Sequence, residues 1–301
     1  MRVTAIFFGR AGAGAFNAAG VAGLARAAAR HGITPTILWE DQPARREATV
    51  RQAAVGADLL IAHGGQGEAA VAALAADFPA TRFAVTQGRI TGPNIAGFEV
   101  LQEQSAFLAG ALAGWWLDGQ GKAAHLSGER VPPGLRGRAG FAHGLAHVSP
   151  DLPLLSGFCG DQHDSDLAAR WTSAQAAAGA RIQFTMLDGG RAGAIAAGAA
   201  AGLRGIGNVH DWTAENAYFL ASALADSGAA VEAAVAAFIA DTFADQRIGL
   251  ENPACVRLAL APEVPASLRA RLDSLAAAIL AGEVIVPEGW GGAEFLPGPV
   301  S

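Results

Sequence analysis

Lysine is all but missing from this chain. Lys122 stands alone against twenty arginines, tyrosine is represented only by Tyr218, and cysteine only by Cys159 and Cys255. The lysine deficit, beside heavy alanine and glycine usage, fits a GC-rich genome better than a function. A single tyrosine with Ser222 four residues on removes the Tyr-x-x-x-Lys pair of short-chain dehydrogenases. The two cysteines lie far apart, with no C-x-x-C and no metal-type spacing. Two readings of them stay open, a disulfide within one lobe or two free buried thiols, and the second is preferred. No run reaches about 18 apolar residues, so no membrane span is expected. The most apolar window, Ala192 to Leu203, is mostly Ala and Gly and too short. No basic start with an apolar run and a small-residue cleavage site precedes the first strand. Charged residues make up 16% and the net charge is −6, which argues against nucleic acid or an anionic membrane as the main partner.

What is present is a long alternation of strands and helices. The 301 residues are 51% apolar, ample for one large or two medium domains. A first run places strands near Val3–Phe8, Thr36–Trp39, Leu59–Ala62 and Phe83–Thr86. Helices lie between them over Asn17–His31, Ala44–Val55 and Gly67–Ala76. A second run has strands near Ala123–Leu126, Leu152–Gly157, Ile182–Met186 and Gly205–Gly207, with helices near Pro133–His147, Ser165–Ala178 and Arg191–Ala201. A strand over Tyr218–Ala223 then leads to a helix over Ala229–Phe243. Such alternation predicts parallel sheets with right-handed crossovers, and the repeated order predicts two doubly wound α/β lobes. The Gly- and Pro-rich tail after Pro287 is expected to be irregular.

Several segments invite chemistry, and each also has a plain reading. Gly9 to Asn17 follows the first strand and opens a helix, and Glu40 ends the second strand, as in a dinucleotide fold. The spacing does not fit G-x-G-x-x-G, because Ala11 and Asn17 stand where glycines are required. Phe16 is either a hydrophobic staple or a ring that stacks on a heterocycle. Asn17 either caps the helix or presents its amide to a ligand. His143 and His147 have a metal-type i, i+4 spacing, but Gly144 replaces the glutamate of a zincin and no third ligand is evident, so a solvated pair is preferred. The acidic run Asp161 to Asp166 reads as a helix cap rather than a calcium loop. Asp188-Gly189-Gly190-Arg191 starts a helix after a strand, and is either a ligand-facing turn or a solvent-facing cap. Asp211 and Trp212 follow another strand end, where such sheets bind ligands. No G-x-S-x-G elbow occurs, and nothing asks for catalysis, metal or cofactor.

The most informative stretch is Arg82 to Trp116: a strand, the turn Gly92-Pro93-Asn94-Ile95, a short strand, a helix start at Gln102-Glu103-Gln104, then Ala106-Phe107-Leu108-Ala109-Gly110. Phe16-Asn17 after the first strand and the closing run Gly282 to Pro287 after a helix over Pro265–Ala281 add two further landmarks. In this order they resemble the basic membrane protein (BMP) family, the purine-nucleoside-receptor-like substrate-binding proteins of ABC transporters. The resemblance covers most of the chain. It implies a type I periplasmic binding protein-like clamshell that holds a small ligand between two lobes and delivers it to a membrane permease. It also implies three crossings, with lobe 1 over 1–119, lobe 2 over 120–223, a return to lobe 1 over 224–250, and 251–301 in lobe 2 and the tail. Family members are exported, often as lipoproteins, so the protein is expected to be periplasmic or lipid-anchored if a signal peptide was removed, and otherwise cytoplasmic.

The departures from the family cluster at its nucleoside contacts. Ala13 replaces the acid before the Phe-Asn pair, Gln87 the Asp that closes the fourth strand, Val209 the first Asp of a Gly-Val-Asp-Ser-Asp turn, and Ala225 a Lys. Asp211 keeps the second Asp of that turn. A buried hydroxyl without a partner costs about 1–3 kcal/mol, so ribose is expected to bind poorly unless Arg10, His210 or Asp226 substitutes. The reading is a solute-binding protein for a flat heterocycle, a purine base or related cyclic amide. Phe16 and either Phe184 or Trp212 serve as walls, with Asn17, Arg10, Gln87, Asp188, Gly189, Arg191 and Asp211 as polar contacts. Alternatives are a nucleoside-binding protein, a cytoplasmic sensor of the same fold, and, further off, an α/β hydrolase or oxidoreductase.

Overall fold

The computed structural model of the chain describes residues 1–12 and 14–298. Along the chain the elements are β1 (Val3–Phe8), α1 (Ala15–His31), β2 (Thr36–Glu40), α2 (Arg46–Ala54), β3 (Leu59–His63), α3 (Glu68–Leu74), β4 (Arg82–Thr86), β5 (Ile95–Val100), α4 (Gln102–Leu117), β6 (Lys122–Ser127), α5 (Pro132–Val148), β7 (Leu154–Phe158), α6 (Ser165–Ala177), β8 (Ala180–Met186), α7 (Arg191–Ala200), β9 (Arg204–Val209), β10 (Phe219–Ala225), α8 (Ser227–Ile239), β11 (Gln246–Ile248), β12 (Val256–Leu260) and α9 (Ala266–Leu280).

They form two compact units. Unit 1 holds Met1–Val100 and Asp226–Ile248, and unit 2 holds Leu101–Ala225 and the chain from Gly249 onward. The sheet of unit 1 runs β11-β5-β4-β3-β1-β2 and its pairings are parallel. The sheet of unit 2 runs β12-β10-β9-β8-β6-β7, parallel except where β12 joins β10 antiparallel. The two doubly wound units expected from the alternation are both present.

Strand periodicity explains the packing of unit 1. Ile6, Phe8, Leu60, Ala62, Phe83 and Val85 point to one face and bury against α2 and α3 through Val50, Ala54, Val71 and Leu74. The other face is covered by α1 and α8, which touch at their glycines. A side chain at Gly23 would strike the Gly228 carbonyl, and one at Gly228 would strike that of Ala19. The helices approach this closely because neither carries a Cβ there.

The chain leaves unit 1 after Val100, not at Gly119–Gln120 as the sequence suggests. The reason lies in α4, which is apolar nearly all round and buries thirteen of its residues within unit 2. It packs on α5 at backbone contact distance. A Cβ at Gly140 would meet the Glu103 carbonyl, one at Gly144 the Phe107 carbonyl, and one at Gly110 the Phe141 carbonyl. A helix ahead of the Gly119 turn therefore belongs with the elements that follow it. The short β11 is also unannounced by the sequence. Three mixed residues become a strand only by pairing with β5, Gln246 opposite Phe98.

Cys159 and Cys255 are not disulfide-bonded, and both are half-buried. The tail after Pro287 is irregular among the described residues, apart from one bridge between Ser156 and Glu294. Glu294 is held there by Arg130 and by Arg138 Nη1 at 2.6 Å.

Candidate functional site

In parallel sheets of this kind ligands sit at the C-terminal ends of strands, and each unit presents a built constellation there. In unit 1 it starts from Phe8, the last residue of β1. The Phe8 carbonyl accepts from Asn17 Nδ2 at 3.2 Å. Gly9, at φ +142°, makes room, since a Cβ there would lie 2.9 Å from that same nitrogen. Gly14 caps α1 through its backbone alone, so Asn17 is not the helix cap but lies in the first turn, 4% exposed. Its Oδ1 has no hydrogen-bond partner among the described residues. Ala13, where the family carries an acid, lies outside the described residues.

Phe16 precedes Asn17 and is half-buried. Its ring stacks on His63, the last residue of β3, with centroids 4.4 Å apart and planes at 26°. The Phe16 carbonyl accepts from Ser227 Oγ at 2.9 Å and lies 3.2 Å from His63 Nε2. A carbonyl only accepts, so the imidazole proton is on Nε2. Nδ1 therefore accepts from Thr86 Oγ1 at 3.0 Å, and Thr86 in turn accepts from the Gly64 N–H at 2.9 Å. His63 is fully buried, and desolvation drives its pKa down to about 4, against the raising effect of the Phe16 contact. The neutral imidazole is thus a fixed support for Phe16. Gly20 admits it to the α1 face, since a Cβ at Gly20 would collide with the ring. Sequence reasoning missed His63, Thr86 and Ser227. The available signal was a histidine closing the otherwise apolar strand Leu-Leu-Ile-Ala-His.

Other predicted contacts of unit 1 are placed elsewhere. Gln87 is buried, at φ +58°, and both ends of its amide engage Val100: Nε2 donates to the carbonyl at 3.2 Å, and Oε1 accepts from N–H at 2.7 Å. It staples the end of β4 to the end of β5, so its amide is not left to read a ligand edge. Arg10 is exposed and lies 3.8 Å from Asp41. The Glu40 carboxylate is also spent internally. Hydrogen bonds from the Gln42 N–H and the Thr49 hydroxyl hold its pKa below the usual carboxylate value.

In unit 2, Phe184 is 1% exposed and stacks on Phe141 at 5.1 Å. It is a core residue, not a ligand wall, because its position in β8 points it into the α5 interface. Trp212 is half-buried and follows the end of β9. Its Nε1 donates to the Asn208 carbonyl at 2.9 Å, and its backbone N–H lies 3.3 Å from Ser222 Oγ. Gly207 leaves space for the indole, since a Cβ there would clash with the ring. Arg191, the first residue of α7, lies against Trp212, 4.4 Å from a ring centroid. It donates to the Leu187 carbonyl and to Asn208 Oδ1. Val209 closes β9 at φ +67°, a costly conformation for a β-branched residue and one that collects at functional sites.

The remaining polar candidates of unit 2 have local work. Asp211 caps the short turn that carries Trp212, accepting from Thr213 N at 3.1 Å and Oγ1 at 2.6 Å. The Gly189-Gly190 turn does not offer its N–H groups outward. Gly190 N donates to the Gln162 carbonyl at 3.0 Å, as does Asp188 N at 3.1 Å, while Gly189 N reaches His163 Nδ1 at 3.4 Å. The acidic run before α6 does cap that helix, Asp164 accepting from Leu167 N. His143 and His147 diverge, His143 Nε2 lying 2.8 Å from the Gly289 carbonyl and His147 packing on Phe107. Among the described residues, no helix is long and apolar enough to cross a membrane.

Comparison with known proteins fits this geometry. The family model described as Bmp, ABC transporter substrate-binding protein PnrA-like, matches residues 3–250. A solute-binding protein of an ABC transporter system from Aeropyrum pernix K1 superposes with a TM-score of 0.82 at 18% identity, covering 95% of this chain and 93% of that one. One from Conexibacter woesei DSM 14684 has 26% identity and a TM-score of 0.71, over 96% and 99% of the two chains. A transcriptional activator of the comK gene from Bacillus halodurans shares the fold at a TM-score of 0.75 and 14% identity, over 94% and 99%. The search of curated proteins gives no match.

Proposed function

The chain belongs to the Bmp family of PnrA-like ABC transporter substrate-binding proteins, and on that premise we propose that it binds a small flat heterocycle, a purine base or related cyclic amide, without turning it over. Phe16 supplies the stacking surface of unit 1 and Trp212 that of unit 2. The protein works outside the cytoplasm and delivers its ligand to a membrane permease.

The observation that carries this reading is the support beneath Phe16. A neutral, fully buried His63 stacks under the ring and bonds its carbonyl, and Ser227 bonds the same carbonyl. An aromatic ring held in this way offers a surface at little entropic cost on binding. Asn17 Oδ1, buried and without a partner among the described residues, is an acceptor suited to a ring or exocyclic N–H. A base is favoured over its nucleoside because the replacements for the family's sugar contacts are engaged. Asp226 caps α8 and pairs with Arg26, and His210 pairs with Glu215. Val209 and Ala225 have no polar side-chain group to offer a ribose hydroxyl.

A thermal-shift screen of nucleobases against matched nucleosides tests this. A ligand at 100 times its Kd stabilises the folded state by about 2.7 kcal/mol. Bases should raise the melting temperature by a few degrees and their nucleosides should not. Equal or larger shifts with adenosine, inosine or guanosine would sink the base reading. Product formed from purines or nucleosides would sink the non-catalytic one.

A further inference from the structure

Arg191 is 4% exposed, yet its hydrogen bonds go to neutral acceptors, the Leu187 carbonyl and Asn208 Oδ1. Its Nη1 has no partner among the described residues. Burial lowers its pKa to about 10, against the opposing pull of Asp188, so it remains a cation at neutral pH. The Trp212 indole lies on it at 4.4 Å and is pinned in turn through Nε1 to the Asn208 carbonyl. Trp212 is therefore a half-buried ring with a fixed, incompletely hydrogen-bonded cation against it, at the C-terminal end of β9.

We infer that the heterocycle stacking on Trp212 is an anion, a planar ring bearing a deprotonated oxygen or a carboxylate, and that Arg191 selects it by charge. This rests on the heterocycle reading above and narrows it. A buried cation with an unmet donor is costly by itself, and a negative charge brought near it in a water-poor site offsets that cost. A guanidinium against one face of an indole also draws on the ring's π-density. A ring stacking on the exposed part of the indole meets a π-system already polarised by this cation, which favours an electron-rich or anionic partner over a cationic one. Trp212 is held by its own Nε1 bond to the Asn208 carbonyl, and Arg191 sets the charge class of what stacks there.

The test uses two matched pairs of probes at neutral pH, read by calorimetry: urate against hypoxanthine, and orotate against uracil. The anion of each pair should bind at least about tenfold more tightly. Arg191→Met should weaken the anion about tenfold and leave the neutral partner within about twofold, and Arg191→Lys should restore much of the preference. A merely structural prop for Trp212 would instead weaken both members equally, which would overturn the inference. If Arg191→Met does not fold, the wild-type ratios decide by themselves. Binding of all four probes without charge preference would overturn this inference and leave the heterocycle reading standing. Binding by none of the four would count against both.

Discussion

The ring of Phe16 lies stacked on the imidazole of His63, 4.4 Å between centroids, while His63 Nε2 lies 3.2 Å from the Phe16 carbonyl. One residue thus supports the other through both ring and backbone. The imidazole is fixed in a single tautomer by that carbonyl, which only accepts, and Thr86 Oγ1 donates to Nδ1 on its far side. On the proposed reading, the surface that receives a flat ligand is rigid before the ligand arrives.

Phe16→Ala should weaken heterocycle binding by about 1–3 kcal/mol. The loss of one aromatic pair should cost about 0.5–1.5 kcal/mol of folding stability beyond the lost apolar area. Calorimetry and thermal melting, run on the same preparation, separate the two. Normal binding with an early melt would make Phe16 a core staple.

Trp212→Ala and Phe184→Ala should behave in opposite ways. The first should lose about 1–3 kcal/mol of binding and destabilise the fold less than the second, because Trp212 is only half-buried although it bonds Asn208 and lies on Arg191. Phe184 is buried on Phe141, so its truncation should cost about 3–5 kcal/mol of stability, measured by urea unfolding.

Acid should destabilise the fold before most carboxylates titrate. His63 has a folded pKa of about 4 and an unfolded value near ~6.5. Between those values the unfolded chain binds a proton that the folded chain refuses. Stability therefore falls as pH drops from about 6.5 to about 4, by on the order of 3 kcal/mol, and this contribution levels off below. His125, pushed down to about 3 by burial and then by Arg138, adds in the same direction. Urea unfolding across this range checks the slope. His63→Gln should make it shallower and leave the part due to His125.

Gly144→Ala should be severe although alanine is the better helix former. Its Cβ would press on the Phe107 carbonyl, and backbone cannot swing aside. A loss of about 1–3 kcal/mol or more is expected. Gly291→Ala, with nothing within 4 Å, is the control and should be neutral in a thermal melt.

The sequence alone determined the elements apart from the short β11. Apolar strands bounded by Gly, Pro and Asp, alternating with helical runs, fixed two parallel α/β units, because strand and helix periods are local properties of the chain. The order of short motifs from Phe16-Asn17 to Gly282–Pro287 pointed to the family. Tertiary structure decided what each side chain does. Gln87 and Phe184 suit a ligand site by residue type, yet Gln87 closes on Val100 and Phe184 packs on Phe141. The close approach of α4 to α5 drew that helix into unit 2. Phe16 and Trp212 owe their settings to His63 and Arg191, 47 and 21 positions away in the chain. Which polar group is satisfied and which ring is supported depends on partners brought together only by the fold, and no local pattern encodes them.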